Sequence, residues 1–211
     1  MAKLGRFITF EGGEGTGKST QAKRLQARFE AKKIPCLVTR EPGGSPGAED
    51  IRNLLLQGDP ARWEPLTEAL LFYAARADHT DRTIKPALKA GKWVICDRYS
   101  DSSYAYQGGG RGLNRETVRR IEAIAIGDFK PELTIILDQD PEIGLKRVAS
   151  RRHKETRFEE FDLEFHQRMR KSFLDIAKRA PDRCAVIDAS QDVDAVEEAV
   201  FQLVKSRLRI K

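Results

Sequence analysis

The stretch Arg6-Phe-Ile-Thr-Phe-Glu11, running directly into Gly12-Gly-Glu-Gly-Thr-Gly17-Lys18-Ser19, decides how this chain folds. Its first half is a short apolar strand. Its second half fits G-x-x-x-x-G-K-[ST], and a helical stretch from Lys18 to Lys32 follows at once. Each element has a physical task. Glycines let the backbone wrap closely and turn its N–H groups inward, while the new helix aims its positive end at the same spot. Lys18 reaches the β- and γ-phosphates of a nucleoside triphosphate, and the Ser19 hydroxyl ligates Mg²⁺. A chance glycine turn would lack this strand-to-helix context. Gly12, Gly13, Glu14, Gly15, Thr16, Gly17, Lys18, Ser19 and Thr20 are therefore the expected nucleoside triphosphate cradle.

Outward from this stretch, apolar runs and helical segments alternate. Pro35 precedes Cys36-Leu-Val-Thr39, a second strand, and Pro42-Gly-Gly-Ser-Pro46 breaks the chain before a helix around Glu49 to Leu56. Pro65 starts another helix, with Leu66, Leu70, Tyr73 and Ala77 on one face at helical spacing. Trp93-Val-Ile-Cys96, Leu133-Thr-Ile-Ile-Leu137 and Cys184-Ala-Val-Ile187 are three further strands, and a terminal helix begins near Asp192. Phe158, Phe161, Phe165, Met169 and Phe173 read as the buried face of one more helix, with no cofactor role. Short apolar strands separated by amphipathic helices imply a parallel sheet covered on both faces. The expected class is α/β: a P-loop NTPase, three-layer α/β/α, with a five-stranded parallel sheet in one domain over residues 1–211.

The 211 residues are 40% hydrophobic and 33% charged, which supplies a core and argues against bulk disorder. No apolar run approaches the roughly 20 residues of a membrane span. The N-terminal residues lack a signal-peptide pattern, so none is expected. A net charge of +6 admits an anionic partner, either a nucleic-acid polymer or a nucleotide. Basic residues are interleaved with acids, as in Arg115-Glu116 and Lys154-Glu155, and no helix carries a dedicated basic face. A nucleotide is the expected partner, with no nucleic-acid polymer and no membrane. Cys36, Cys96 and Cys184 are odd in number and lack metal-ligand spacing, which reads as buried free thiols in a cytoplasmic protein.

The fate of the γ-phosphate is a separate question. Neither asparagine, Asn53 or Asn114, precedes a lysine, and no Asp-x-x-Gly occurs, which disfavours a GTPase switch. Transfer to a bound acceptor and regulatory ATP hydrolysis remain as alternatives. Asp97-Arg98-Tyr99 follows the third strand at the edge where ligands bind in open α/β sheets. Asp97 is placed to hold Mg²⁺ through water, and Arg98 to clamp an anion. Arg40 leaves the second strand at the same edge, and Arg76 lies one turn beyond Phe72; each is either an anion ligand or a partner of a nearby carboxylate. His79, His153 and His166 have no evident partners, and no Ser-His-Asp or Cys-His arrangement exists. A phosphate acceptor needs none, because its oxygen is already an anionic nucleophile.

The chain closely resembles the thymidylate kinase family from about Phe7 to the last helix. The resemblance rests on Phe10-Glu-Gly-Gly-Glu-Gly-Thr-Gly-Lys-Ser19, Thr39-Arg-Glu-Pro-Gly-Gly44 and Leu71-Phe-Tyr-Ala-Ala-Arg76. Asp97-Arg-Tyr99 with Ser102 and Ser103, and Ala105-Tyr-Gln-Gly-Gly-Gly-Arg-Gly112, complete it. Each segment alone is modest; all of them in order are specific.

The resemblance implies a nucleoside monophosphate kinase-like fold with a short lid, moving the γ-phosphate of ATP to dTMP with Mg²⁺. It implies that Phe72 stacks on thymine while Arg76 and Ser103 read its polar edge. Glu14 would accept from the sugar 3′-hydroxyl, and Arg98 and Arg40 would hold the acceptor phosphate. Tyr106 would crowd the 2′ position and Gln107 would close the pocket, with Pro42 and Ser102 also in the dTMP set. The lid would span about 147–158, and its Arg151, Arg152 and Arg157 would be the catalytic candidates beside Lys18 and Arg98. Since the phosphate loop carries no arginine, the chain resembles the branch whose catalytic arginine sits in the lid. The family also implies a homodimer, with the helix from Pro65 to Asp78 as an interface element. Another nucleoside monophosphate kinase is the near alternative.

Overall fold

A computed structural model describes residues 4–149 and 157–210. The strands are β1 (Phe7–Glu11), β2 (Cys36–Arg40), β3 (Trp93–Asp97), β4 (Leu133–Asp138) and β5 (Cys184–Asp188). They form one sheet in the order β2-β3-β1-β4-β5, and every pairing is parallel. The central strand β1 therefore has β3 on one side and β4 on the other, a switch point that opens a crevice at the strands' carboxyl ends. Register brings the chemistry to that crevice: Phe10 and Arg40 both lie opposite Asp97, and Glu11 lies opposite Ile136.

The helices are α1 (Lys18–Ala31), α2 (Pro46–Leu56), α3 (Pro65–His79), α4 (Lys85–Lys89), α5 (Ser100–Ser103), α6 (Arg115–Ala125), α7 (Pro141–Ala149), α8 (Leu163–Arg179) and α9 (Val193–Leu208). Ile8 and Phe10 of β1 face α1 and α9, burying Leu25, Phe29, Val196, Val200 and Phe201. On the opposite face Phe7, Val94 and Cys96 pack with Ile84, Tyr99 and Ile126. A third cluster joins Tyr106, Ile136, Phe158, Phe165, Met169 and Phe173. Both faces of the sheet are thus covered, as the apolar strands require.

Several sequence expectations need adjustment. The aromatic stripe is not one helix: α8 starts at Leu163, where the Asp162 carboxylate accepts from Phe165 N–H at 2.7 Å. Phe158 and Phe161 precede that cap and join the same cluster from a turn. Residues 100–110 carry no helical periodicity, yet α5 continues into a π-helical turn over Tyr104–Gly110. Packing explains Gly109 and Gly110, because a Cβ on them would sit 2.6 Å from Ser172 Cβ and 2.4 Å from the Phe165 ring. Cys96 and Cys184 are buried free thiols, whereas Cys36 on the edge strand is only partly covered.

Candidate active site

The phosphate loop connects β1 to α1 through a backbone that only glycines adopt freely. Gly15 has φ +68°, and a Cβ there would lie 2.1 Å from the Gly144 carbonyl oxygen of α7. The loop is therefore pressed directly onto the helix that leads toward the expected lid. Lys18 Nζ donates to the Gly13 carbonyl at 2.5 Å and to Thr16 Oγ1 at 3.4 Å. Burial lowers the Lys18 pKa to about 8, aided by the nearby Arg98 charge and opposed by Glu14, Asp97 and Glu11. Ser19 Oγ donates to Asp97 Oδ2, joining the start of α1 to the end of β3. These are adjacent hard oxygen donors, a set that fits Mg²⁺, which takes few protein ligands beside water and phosphate.

Arg98 follows β3 with φ +70°, a left-handed conformation that is costly for a side chain of this size. Glu11 holds the turn. Its buried carboxylate accepts from Tyr99 N–H at 2.8 Å, Ser102 N–H at 3.2 Å and Ser102 Oγ at 2.5 Å. Burial and the neighbouring Asp101 raise the Glu11 pKa to about 7, although Ser102, Arg98 and Tyr99 pull it down. The held turn directs Arg98 inward, where it donates to the Gly12 carbonyl at 2.9 Å and to both oxygens of Glu14. Burial alone would raise the Glu14 pKa, but Arg98, Lys18 and the Tyr106 hydroxyl bring it to about 2.

A cavity of about 400 Å³ runs from this point across the crevice. Lys18, Ser19, Thr20 and Asp97 border it at the phosphate-loop end. Glu14, Gly15, Gly17 and Arg98 also line it, together with Arg40, Pro42, Phe72, Ser102, Ser103, Tyr106 and Gln107. The structure thus brings most of the residues read from the sequence into one space. Gly12, Gly13 and Thr16 border a smaller cavity beneath the loop. Arg40 is half-exposed and pairs with Glu49 at 3.2 Å. Gln107 donates to the buried Glu68 at 2.8 Å.

Two arginines take other roles than expected. Arg76 does not border the cavity; it donates to Glu41 at 2.6 Å, Ser103 Oγ at 2.9 Å and the Tyr99 carbonyl at 3.0 Å. Its charge is satisfied by Glu41, and it fixes Ser103, which does reach the cavity. Arg157 is fully buried and pairs with Glu68 at 2.6 Å. It also donates to the carbonyls of Leu55, Asp59 and Pro60, closing the end of α2. A guanidinium so engaged is a structural anchor, so Arg157 is corrected from catalytic candidate to clamp. Arg151 and Arg152 lie outside the described residues. His79 is likewise corrected: it is buried against Thr39 Oγ1 at 2.7 Å and Glu41 at 3.0 Å.

Sequence reasoning missed Glu11, Glu41, Arg52 and Phe158. Phe158 borders the cavity with its ring centroid 5.8 Å from that of Phe72. Arg52 borders it and donates to the Pro42 carbonyl at 2.5 Å. Glu11 and Glu41 each lie inside a quoted segment but were given no role, although that placement is a usable signal. Phe158 had none, because its spacing matched the helical stripe.

Comparison with known proteins agrees with this geometry. A family model described as Thymidylate kinase matches residues 10–200. A thymidylate kinase of Ruegeria pomeroyi is 50% identical over 208 residues, covering 99% of this chain and 98% of that protein. One from Caulobacter vibrioides is 52% identical over 204 residues, covering 97% and 98%. The crystal structure of thymidylate kinase from Ehrlichia chaffeensis superposes with a TM-score of 0.76 at 36% identity, over 95% of this chain and 99% of that one. The chain belongs to the thymidylate kinase family.

Proposed function

We propose that this protein transfers the γ-phosphate of ATP to dTMP, giving dTDP and ADP. The observation that carries the reading is that one cavity is lined both by Lys18, Ser19 and Asp97 and by Phe72, Ser103 and Gln107. A hydrolase would have no use for the second set. A kinase needs both, so that donor and acceptor phosphates meet beside Arg98.

In this reading the loop amides and Lys18 hold the β- and γ-phosphates. Ser19, with Asp97 acting through water, holds Mg²⁺, which supplies charge neutralisation at the phosphates. Phe72 stacks on thymine with Phe158 beside it, and Ser103, held by Arg76, meets the polar edge of the base. Arg40 and Arg98 bind the acceptor phosphate, Glu14 takes the sugar 3′-hydroxyl, and Tyr106 occupies the space a 2′-hydroxyl would need. No general base is required, because the attacking phosphate oxygen is already charged. Catalysis is alignment of two polyanions and neutralisation of the charge that develops between them. Arg151 or Arg152 supplies further neutralisation from a lid over about 147–158, within a single domain.

The reading extends to assembly and setting. Leu66 and Leu70 on α3 are about half-exposed and Ile124 on the neighbouring α6 is 89% exposed, an apolar face suited to a second copy. Three free cysteines support a cytoplasmic setting. Among the described residues, no helix is long and apolar enough to cross a membrane.

The test is ADP release from Mg·ATP with dTMP, dUMP, dCMP, dGMP and UMP, each added separately. Strong turnover with dTMP, less with dUMP and almost none with the others is the expected result. A maximum with another monophosphate would overturn the base-pocket roles, and no stimulation by any would favour regulatory hydrolysis.

A further inference from the structure

Beneath the phosphate loop, a small cavity is bordered by Gly12, Gly13 and Thr16 of the loop and by the end of β4, α7 and α8. Two of the residues that line it, Gln139 and His166, each carry a buried side-chain nitrogen, Nε2, with no hydrogen-bond partner among the described residues. Gln139 is 4% exposed and His166 is 1% exposed, so bulk water does not serve them. Buried polar groups in folded proteins are almost always satisfied.

The chemistry of each atom is fixed by what its side chain does elsewhere. Gln139 Oε1 accepts from Arg147 Nη1 at 2.8 Å. A guanidinium only donates, so the amide cannot be reversed, and the NH₂ group is the end left without a partner. The His166 ring makes a backbone hydrogen bond at Phe161, and burial disfavours its charged form. The neutral ring therefore donates from Nδ1 to that carbonyl and keeps Nε2 as an acceptor. The residues lining the cavity thus include an unpartnered donor and an unpartnered acceptor, and the two do not bond directly. The space leaves about 10 Å³ for the centre of a water molecule, about what one water needs. The carboxylates nearby are already neutralised, Asp138 by Arg170 at 2.7 and 2.8 Å and Glu14 by Arg98. A metal cation would meet the amide's hydrogens, so the fitting ligand is neutral and both donates and accepts.

We propose that one internal water occupies this cavity, accepting from Gln139 Nε2 and donating to His166 Nε2. It completes a chain from α8, through Gln139, to Arg147 on α7, the same helix whose Gly144 seats the phosphate loop at Gly15. The water thereby braces α7 from below the loop. The site is independent of which monophosphate is the acceptor.

A crystal structure of the full-length protein at a resolution that shows ordered water tests this directly. A solvent peak within hydrogen-bond distance of both Gln139 Nε2 and His166 Nε2 is expected. No peak, or the two side chains bonded to each other, would overturn it. Thermal melts of Gln139→Met, His166→Leu and the double variant give a second reading. Each single change should lower Tm by about 2–4 °C. Each variant also loses a bond of its own, Gln139 to Arg147 and His166 to the Phe161 backbone, so the double variant should fall further than either single one but by less than the sum of the two, because the water is lost only once. Strictly additive losses would refute a shared water.

Discussion

Arg98 Nη2 donates to both carboxylate oxygens of Glu14, at 3.1 and 3.2 Å, and both residues line the cavity. The Tyr106 hydroxyl donates to the same carboxylate at 2.6 Å, and its ring lies 4.9 Å beneath the Arg98 guanidinium. Residues assigned to the acceptor's phosphate and sugar therefore hold one another in place before any substrate binds. Arg98 is aligned by geometry that a lysine cannot reproduce, since a point charge lacks the planar fork. Arg98→Lys should lower kcat/KM for dTMP by about 100-fold or more while leaving the fold intact. Steady-state kinetics beside circular dichroism check both parts.

Glu11 gives a pH-dependent prediction. Its pKa is about 7 in the folded protein against an ordinary 4.5, so the native state favours the protonated form. This contribution to stability is complete below pH 4.5 and is lost as pH rises through about 7. Glu11→Gln removes the titration. The Tm difference between variant and wild type should therefore move in the variant's favour from pH 5 to pH 8, by at most about 3 kcal/mol of stability. Melting curves across that range measure it, and a constant difference would contradict the assignment.

The correction to Arg157 separates structure from catalysis. Arg157→Ala leaves the buried Glu68 without one of the two cationic partners it has among the described residues, Arg111 being the other at 2.8 Å. Loss of a fully buried ion-pair partner costs about 3–5 kcal/mol, so Tm should fall markedly. Arg151→Ala and Arg152→Ala should keep the wild-type Tm, and one of them should lose turnover with dTMP binding nearly intact. Calorimetry and single-turnover kinetics on the three variants distinguish the roles.

Phe72→Ala should raise the KM for dTMP by about 10- to 100-fold, the value of one aromatic–base stack. The KM for ATP should not change, because Phe72 sits on α3 and is no part of the phosphate loop that holds the donor. Initial rates with each substrate varied in turn show whether the effect is confined to the acceptor.

The apolar face on α3 and α6 makes a prediction about assembly. Wild-type protein should have twice the mass of the chain in solution, and Leu70→Glu combined with Ile124→Glu should reduce it to the single-chain mass. Light scattering after size-exclusion chromatography reads this directly. A wild-type monomer would remove the dimer from the proposal.

Much of the site was legible because its residues act through local backbone. The glycines, Lys18 and Ser19 occupy one turn, and their spacing alone imposes the cradle. Asp97 and Arg98 end an apolar run, and a parallel sheet brings strand ends to a common edge whatever the loops do. The five strands followed for the same reason: apolar runs between helices have few ways to bury themselves.

Side chains that choose among distant partners were not legible. Arg76 finds Glu41, 35 residues away, and Arg157 finds carbonyls of the α2 terminus about 100 residues away. Long cationic side chains settle on whichever carboxylate packing has buried within reach, and no spacing rule encodes that choice. Phe158 joined the cavity wall because Asp162 caps α8 after it, leaving the ring in a turn that faces Phe72. Glu11 became the grip on Arg98 only when β1 and β3 paired side by side. The sequence by itself determined the cradle and the sheet, since both arise from short-range geometry and apolar periodicity. Tertiary packing decided which charges meet, since pairing depends on burial that only the assembled chain creates.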